Sequence, residues 1–179
     1  MSRIRIVPIF VTALLMLALL IGGWQAYQHY NLLNPLKQSL QSVAGVEKVD
    51  ITTGSPDVVV IQLGPFQTLK DGDLQMTYDA ISDEIEHKLG TNVSVRIGDA
   101  HEGPLTQLFE GAFELYIQQG IAKEDYTQMA SDVARLAKSN HVAYRLTMDN
   151  SFIYLQLQKG PYYLYRVIPY ASRAGGATA

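Results

Sequence analysis

The feature that most constrains this chain is an uninterrupted apolar run near the N-terminus, from Ile6 to Trp24. It follows a short segment, residues 1–5, that carries two arginines. The run contains no charged side chain, and at about 1.5 Å per residue it approaches the ~30 Å thickness of a hydrocarbon core. A helix satisfies its own backbone groups, as lipid requires. The run therefore predicts a transmembrane anchor over residues 6–27, with residues 1–5 as a cytoplasmic cap.

Two other interpretations of the apolar run compete with an anchor. A cleaved secretory signal has an apolar core of about 7–15 residues followed by small residues at the cleavage site. This run is longer, and no Ala-x-Ala pattern follows it. A buried helix of a soluble protein normally has a polar face. We therefore predict an uncleaved anchor with Trp24 and Tyr27 at the membrane interface, where amphipathic rings are favoured, and the sequence leaves cleavage open.

The distribution of basic residues predicts the orientation of this anchor. Arg3 and Arg5 precede the apolar run, and the first basic residue after it is Lys37. Positive charge favours the cytoplasmic side, so we expect Arg3 and Arg5 at the cytoplasmic membrane interface. The sequence thus predicts a single-pass protein of the cell membrane that contacts the lipid bilayer through residues 6–27 and carries its folded domain outside the cytoplasm.

Composition narrows the partners that the folded part can have. The chain has 14 basic and 17 acidic residues and a net charge of −3, so it lacks the basic surface that nucleic acid or anionic lipid demands. No cysteine is present, and the fold must be stable without disulfides. The C-terminal residues 170–179 have too few apolar side chains to form a core and are predicted to be a disordered tail.

Residues 32–99 carry the pattern of a first lobe with the element order αββαβ. Asn34-Pro35 is typical of a helix start, and Asp73 can cap a long amphipathic helix. Val58–Leu63 is rich in β-branched residues without clean alternation, which is typical of a strand buried on both faces. We expect two helices on one face of a three-stranded sheet, so the second face of Val58–Leu63 needs cover, from residues 103–169 or from another copy.

Residues 100–169 predict a second lobe of two helices followed by a three-stranded antiparallel meander (ααβββ). Three alternating runs are separated by the short turn sequences Asp-Asn-Ser and Lys-Gly-Pro, as expected for strands joined by hairpins. The predicted fold class is therefore α+β: an N-terminal transmembrane helix, an αββαβ lobe and a second lobe of two helices plus a meander.

The search for chemistry finds one tight group of metal-ligand residue types, Asp99, His101 and Glu102. No second ligand pair at helical or finger spacing supports it, and a solvated loop is the favoured interpretation. The sequence has no nucleophile elbow and no glycine-rich phosphate loop. It therefore predicts a protein that is not an enzyme and has no catalytic residue, no cofactor and no metal site. Asp99, His101 and Glu102 remain the candidate metal ligands.

The last strands are rich in tyrosine, which offers large contact area at low entropic cost. If the aliphatic residues of the strand 152–158 face the helices, then Phe152, Tyr154 and Gln156 point the other way and form a candidate face for a partner or ligand. The alternative is that tyrosine is simply a good strand residue with one polar end.

A family resemblance rests on the spacing of apolar residues from Leu36 to Ile51, with Gly45-Val46 between helix and strand, followed by strand, long helix and strand. Over residues 36–99 the pattern resembles the ring-building domains of Firmicute stage III sporulation membrane proteins. It is also similar in outline to a spore lipoprotein family, although no cysteine is available for lipid attachment. The Gly-Val-x-x-Val turn resembles heavy-metal-associated domains, whose Cys-x-x-Cys this chain lacks. Residues 103–169 carry no such resemblance.

These observations give two hypotheses for function. The first is a single-pass, membrane-anchored envelope protein whose extracytoplasmic α+β domain mediates protein interaction or self-association, with sporulation implied by the resemblance. The alternative is a membrane-tethered enzyme or small-ligand sensor that uses the Asp99–Glu102 loop or the tyrosine-rich sheet face. The sequence leaves open the partner, the oligomeric state and the biological process.

Overall fold

The structure is a computed structural model that describes residues 6–28, 33–52, 54, 56–90, 93–98 and 101–170. Helix α1 (Ile6–Gln28) comes first, and its described side chains, those of residues 11–24, are all exposed.

The predicted transmembrane anchor over residues 6–27 is wrong. Within the described parts of the chain, no helix combines the length and the apolar character that crossing a bilayer requires. The single-pass location and the extracytoplasmic placement are corrected with it. Trp24 is 65% exposed on α1; Arg3, Arg5 and the side chain of Tyr27 lie outside the described residues.

The first lobe consists of α2 (Asn34–Gln41), β1 (Val46–Thr52), β2 (Asp57–Leu63), α3 (Leu74–Leu89) and β3 (Val93–Gly98). The sheet order is β1-β2-β3, with β1 antiparallel and β3 parallel to β2. The parallel pair needs a crossover connection, and α3 supplies it. Short 3-10 turns between β2 and α3 complete the lobe.

Local sequence explains where these elements begin and turn. Pro35 lies in the first turn of α2, where its missing N–H costs nothing. The carboxylate of Asp73 caps α3 by accepting the N–H of Gln75 at 2.8 Å. Gly45 joins α2 to β1 at φ +88°, and an added Cβ there would lie 2.8 Å from the Cα of Leu69. Only glycine fits this turn.

The helices of the second lobe form two stretches. The first combines α4 (Leu105–Leu108), a π-helical turn (Phe109–Phe113) and α5 (Glu114–Lys123). It is followed by α6 (Tyr126–Ser139), which Asp125 caps by accepting the N–H of Gln128. The two stretches pack against each other through α5 and α6.

The strands of the second lobe are β4 (Ala143–Met148), β5 (Phe152–Lys159) and β6 (Tyr162–Pro169). They form an antiparallel sheet in the order β4-β5-β6. Asp149 fixes the first hairpin, because one carboxylate oxygen accepts the N–H groups of residues 151 and 152. The predicted mixed α+β class, with two three-stranded sheets, is confirmed.

Strand β5 belongs to two hydrophobic cores. Its aliphatic residues Ile153, Leu155 and Leu157 pack with α4–α6 in the second core. Tyr154, on the opposite face of the same strand, packs with α2, α3 and the first sheet. Strand β5 is therefore covered on both faces, by the helices of its own lobe and by the first lobe.

The second face of β2 is not covered in the way that the sequence suggested. Val59, Ile61 and Leu63 are buried beneath the helices, whereas Val58 and Val60 on the outer face are only half-buried. The second lobe instead joins the first core on the helix-covered side, where the rings of Tyr78 and Tyr154 lie 5.8 Å apart.

Candidate functional site

The predicted partner face on β5 lies inside the molecule. Tyr154 and Gln156 are each 1% exposed, and Phe152 is half-buried. The ring of Tyr78 on α3 makes edge contacts with Phe152 at 5.6 Å and with Tyr154. The first lobe of the same chain therefore occupies this face. We call it the junction face; it comprises Phe152, Tyr154 and Gln156 on β5 and Tyr163, Tyr165 and Val167 on β6.

Gln156 satisfies the backbone at the N-terminus of α3. Its Oε1 accepts the N–H of Leu74 at 2.9 Å, and its Nε2 donates to the carbonyl of Gly72 at 3.2 Å. Beside it, Arg145 forms an ion pair with Asp73 at 2.8 Å. A buried amide is tolerated when its donors and acceptors are paired. Gln156 thus joins the two lobes and presents no polar group to a ligand.

The hydroxyl of Tyr154 also has a fixed partner, since it donates to Asp149 Oδ2 at 2.6 Å. Burial, and then the hydrogen bond and charge of Asp149, raise the pKa of Tyr154 far above its ordinary value. Burial raises the pKa of Tyr165 in the same way, and its hydroxyl donates to the carbonyl of Gly64 at 2.7 Å. Both phenols stay neutral donors and are unsuited to acid–base chemistry near neutral pH.

The loop that carried the metal candidates is attached to β6. His101 is exposed, but its ring stacks on Tyr163 with centroids 5.1 Å apart, and its Nδ1 lies 2.9 Å from the Tyr163 hydroxyl. The carbonyl of His101 accepts the N–H of Tyr163 at 3.0 Å. Asp99 lies outside the described residues. Among those described, no three His, Asp or Glu side chains are grouped closely enough to hold a metal ion.

Glu102 completes this attachment. Its two carboxylate oxygens pair with Nη1 of Arg166 at 2.5 Å and with the hydroxyl of Thr106 at 2.6 Å. The guanidinium of Arg166 lies 5.1 Å from the ring centre of Phe109, a cation–π contact. Gly103 follows at φ +49°, where an added Cβ would meet the Tyr162 ring at 2.4 Å. The described residues of this loop therefore attach it to β6 through contacts with Tyr163 and Arg166.

The open part of the junction is a cleft of about 470 Å³ between β3 and β6. Both are edge strands, one of each sheet. We call this space the junction cleft. Of the residues that line it in the described chain, two are arginines, none is acidic and the rest are aromatic or aliphatic: Tyr78, Val95, Arg96, Ile97, Phe152, Tyr165, Arg166, Val167 and Pro169.

The edge of β6 that faces the junction cleft is already partly capped. In an antiparallel pair, alternate residues direct their N–H and C=O groups away from the partner strand. The hydrogen bond from the N–H of Tyr163 to the carbonyl of His101 shows that the odd-numbered residues of β6 form this outward set. In this set, the carbonyl of Tyr165 accepts Nη1 of Arg166 at 3.0 Å. Pro169 has no N–H to offer, as is common at protected edges. A ligand in the cleft would therefore be recognised mainly by side chains.

Arg96 differs from Arg166, the other arginine of the cleft, because Arg166 pairs with Glu102. Arg96 is exposed in the middle of β3, and the alternation of strand side chains places it on the opposite sheet face from Val95 and Ile97. It forms no hydrogen bond or ion pair with any residue that the structure describes. Sequence reasoning missed the cleft because its walls come from separate segments. The one available signal was a single arginine within an otherwise uncharged strand.

A second hollow lies along the exposed side of α3. It is lined mainly by polar and charged side chains: Lys70, Met76, Asp79, Ala80, Asp83, Glu84 and His87. Burial, and then repulsion from Asp149 and Asp83, raise the pKa of Asp79. Glu84 is paired with Lys88 at 2.9 Å. This hollow is an ordinary charged helix surface and offers little apolar wall for a ligand.

Comparison with known proteins gives no relative. The chain matches no protein-family model, no curated protein and no solved structure. The resemblance to sporulation ring-building domains therefore stays a prediction.

Proposed function

We propose that this chain is a binding protein without catalytic activity, and that the junction cleft receives a segment of a partner protein. The observation that carries the proposal is a cleft of about 470 Å³ between two edge strands, lined by aromatic and aliphatic side chains together with Arg96 and Arg166. Pockets that hold ligand groups have volumes of about 300–1,000 Å³ and walls of this kind. A bulky apolar side chain of the partner, buried between β3 and β6, would supply most of the binding energy.

Binding is favoured over catalysis by the condition of the reactive groups around the cleft. Glu102 is engaged with Arg166 and Thr106, and the hydroxyl of Tyr165 is engaged with Gly64. A general acid or base must exchange a proton with its substrate near the working pH. Burial raises the pKa of Tyr165 away from that range. These side chains support the fold, and their polar atoms are not directed at a substrate.

A displayed library of random peptides, panned against the immobilised full chain, tests the proposal. Val167→Phe narrows the junction cleft, because Val167 lies half-buried in its wall. Val58→Phe makes the same change at a half-buried strand position outside the cleft. Peptides recovered on the unaltered chain should bind Val58→Phe equally well and Val167→Phe at least about tenfold more weakly, as measured by fluorescence anisotropy.

The proposal fails if no recovered peptide distinguishes Val167→Phe from Val58→Phe while circular dichroism shows both variants folded. Peptides that reproduce a stretch of this chain's own sequence would identify the partner as a second copy. Equal loss of binding in both variants would indicate a general effect on the sheets and would also contradict the cleft as the site.

A further inference from the structure

We propose that the segment bound in the junction cleft presents a carboxylate to Arg96, next to the apolar side chain that fills the cleft. This inference rests on the proposed function and names the chemistry of the partner. It follows from the charges around the cleft and from the two faces of β3.

The charge around the cleft is unbalanced. Two arginines and no acidic side chain appear among its described lining residues. Arg166 is held by Glu102 at 2.5 Å and is only 22% exposed, so its charge is already compensated. Arg96 is exposed and is not paired with any described residue. The positive charge left for a ligand is therefore that of Arg96.

The nearest acidic side chain on the same sheet face does not compensate Arg96. The register places Arg96 opposite Val60 of β2, and Val60 opposite Asp50 of β1. Neighbouring strands are about 4.8 Å apart, so Asp50 lies roughly 10 Å away across two strands. Asp50 also pairs with Lys48 at 2.8 Å. No described carboxylate on this face therefore competes with a ligand for the guanidinium.

The two faces of β3 determine how a ligand would lie. Val95 and Ile97 belong to the side of the strand that packs on the first core, whereas Arg96 projects from the other side. A ligand that places an apolar group between β3 and β6 would therefore meet Arg96 at the rim. Guanidinium binds a carboxylate through two parallel hydrogen bonds. A phosphate, with nearly twice the charge, would call for more than this single cation.

The rim position also limits the size of the effect. Solvent screens an exposed ion pair, and such pairs contribute more to partner selection and association rate than to affinity. We expect Arg96→Gln to weaken carboxylate peptides by about threefold, and Arg96→Glu by about tenfold, because reversal replaces attraction by repulsion. Raising the salt concentration should shrink both effects.

Matched peptides test the inference. From the cleft-dependent peptides of the library, pairs are synthesised that differ only by Glu to Gln or Asp to Asn, together with versions in which the acidic residue is lysine. The unaltered chain should prefer the acid, and Arg96→Glu should prefer the lysine peptide. Lys138→Glu, on the exposed last turn of α6, is the control for a change of net charge and should leave the preference unaltered.

The outcomes separate this inference from the proposed function. If the acid and amide peptides bind the unaltered chain equally and Arg96→Glu changes nothing, the carboxylate is excluded while the cleft still binds peptides. An equally large shift in peptide preference in Lys138→Glu would show that the effect comes from net charge, and it would overturn the assignment to Arg96. If no peptide depends on the cleft at all, the proposed function fails and this inference fails with it.

Discussion

The junction between the two lobes has a closed part and an open part, built from the same kinds of side chain. In the closed part, β5 packs on α3, and the polar atoms of Tyr154 and Gln156 all have partners. In the open part, β3 and β6 leave a cleft lined by aromatic and aliphatic side chains and by Arg166, with the exposed Arg96 at its rim. Polar groups that meet inside a chain stabilise the junction. Within the described part of the junction, room for another molecule lies where β3 and β6 diverge.

The largest effect is expected from breaking the closed part at Gln156. Gln156→Leu keeps the side-chain volume but leaves the N–H of Leu74 without its partner and the carbonyl of Gly72 with only the longer bond from Arg145 Nη1 at 3.4 Å. Each buried group left unsatisfied costs about 1–3 kcal/mol, so we expect a loss of about 2–4 kcal/mol in the free energy of unfolding, measured by urea denaturation. Gln158→Leu, two residues along the same strand face and half-buried, is the control. Equal losses in the two variants would show that the hydrogen bonds of Gln156 matter little.

A smaller loss is expected from releasing the loop that seals one end of β6. Glu102→Ala removes the carboxylate that pairs with Arg166 and accepts the Thr106 hydroxyl. Because the pair is largely buried, we expect about 1–3 kcal/mol lower stability. The control is Glu110→Ala, an exposed residue of the π-helical turn, which should change stability by less than about 0.5 kcal/mol. Unchanged stability in Glu102→Ala would mean that the loop contributes nothing to the junction.

The smallest effect concerns the like charges of Asp79 and Asp149 at the edge of the closed part. Burial, and then repulsion from Asp149, raise the pKa of Asp79 above 3.8, so its ionised form opposes folding. The penalty is fully present above the raised pKa and disappears as the pH falls to about 3.8. Asp79→Asn should therefore stabilise the protein at pH 7, by less than about 1 kcal/mol after solvent screening.

Thermal unfolding across pH 3–7 measures this effect. The advantage of Asp79→Asn should shrink steadily toward pH 4, whereas Glu86→Gln on the exposed side of α3 is the control for losing a carboxylate elsewhere on the helix. A variant that is less stable than the unaltered chain at pH 7 would show that the carboxylate of Asp79 contributes favourable contacts that outweigh the repulsion.

The candidate site shows where sequence reasoning succeeds and where it stops. That Ile153 and Tyr154 lie on opposite faces of one strand follows from the period of two in any strand. Which face meets another part of the chain is a different question. The tyrosine-bearing face had the composition of a binding surface, yet Tyr154 is 1% exposed. Burial is a property of what packs against a strand, and residues far apart in sequence decide it.

The apolar run at the N-terminus shows a second limit of sequence reasoning. The absence of charge from Ile6 to Trp24 correctly indicates a helix, α1, because the backbone of such a segment is satisfied by its own hydrogen bonds. The further step to a membrane anchor was wrong, because no helix among the described residues is both long enough and apolar enough to cross a membrane.

By itself the sequence determined the mixed α+β class, the capping of α3 by Asp73 and the meander of β4–β6, because caps, turns and strand alternation are decided by residues a few positions apart. Only the tertiary structure decided that the face of Gln156 would be closed and that Arg96 would remain exposed beside a cleft. Both outcomes depend on how two lobes meet, which is fixed by the packing of surfaces that no local pattern records.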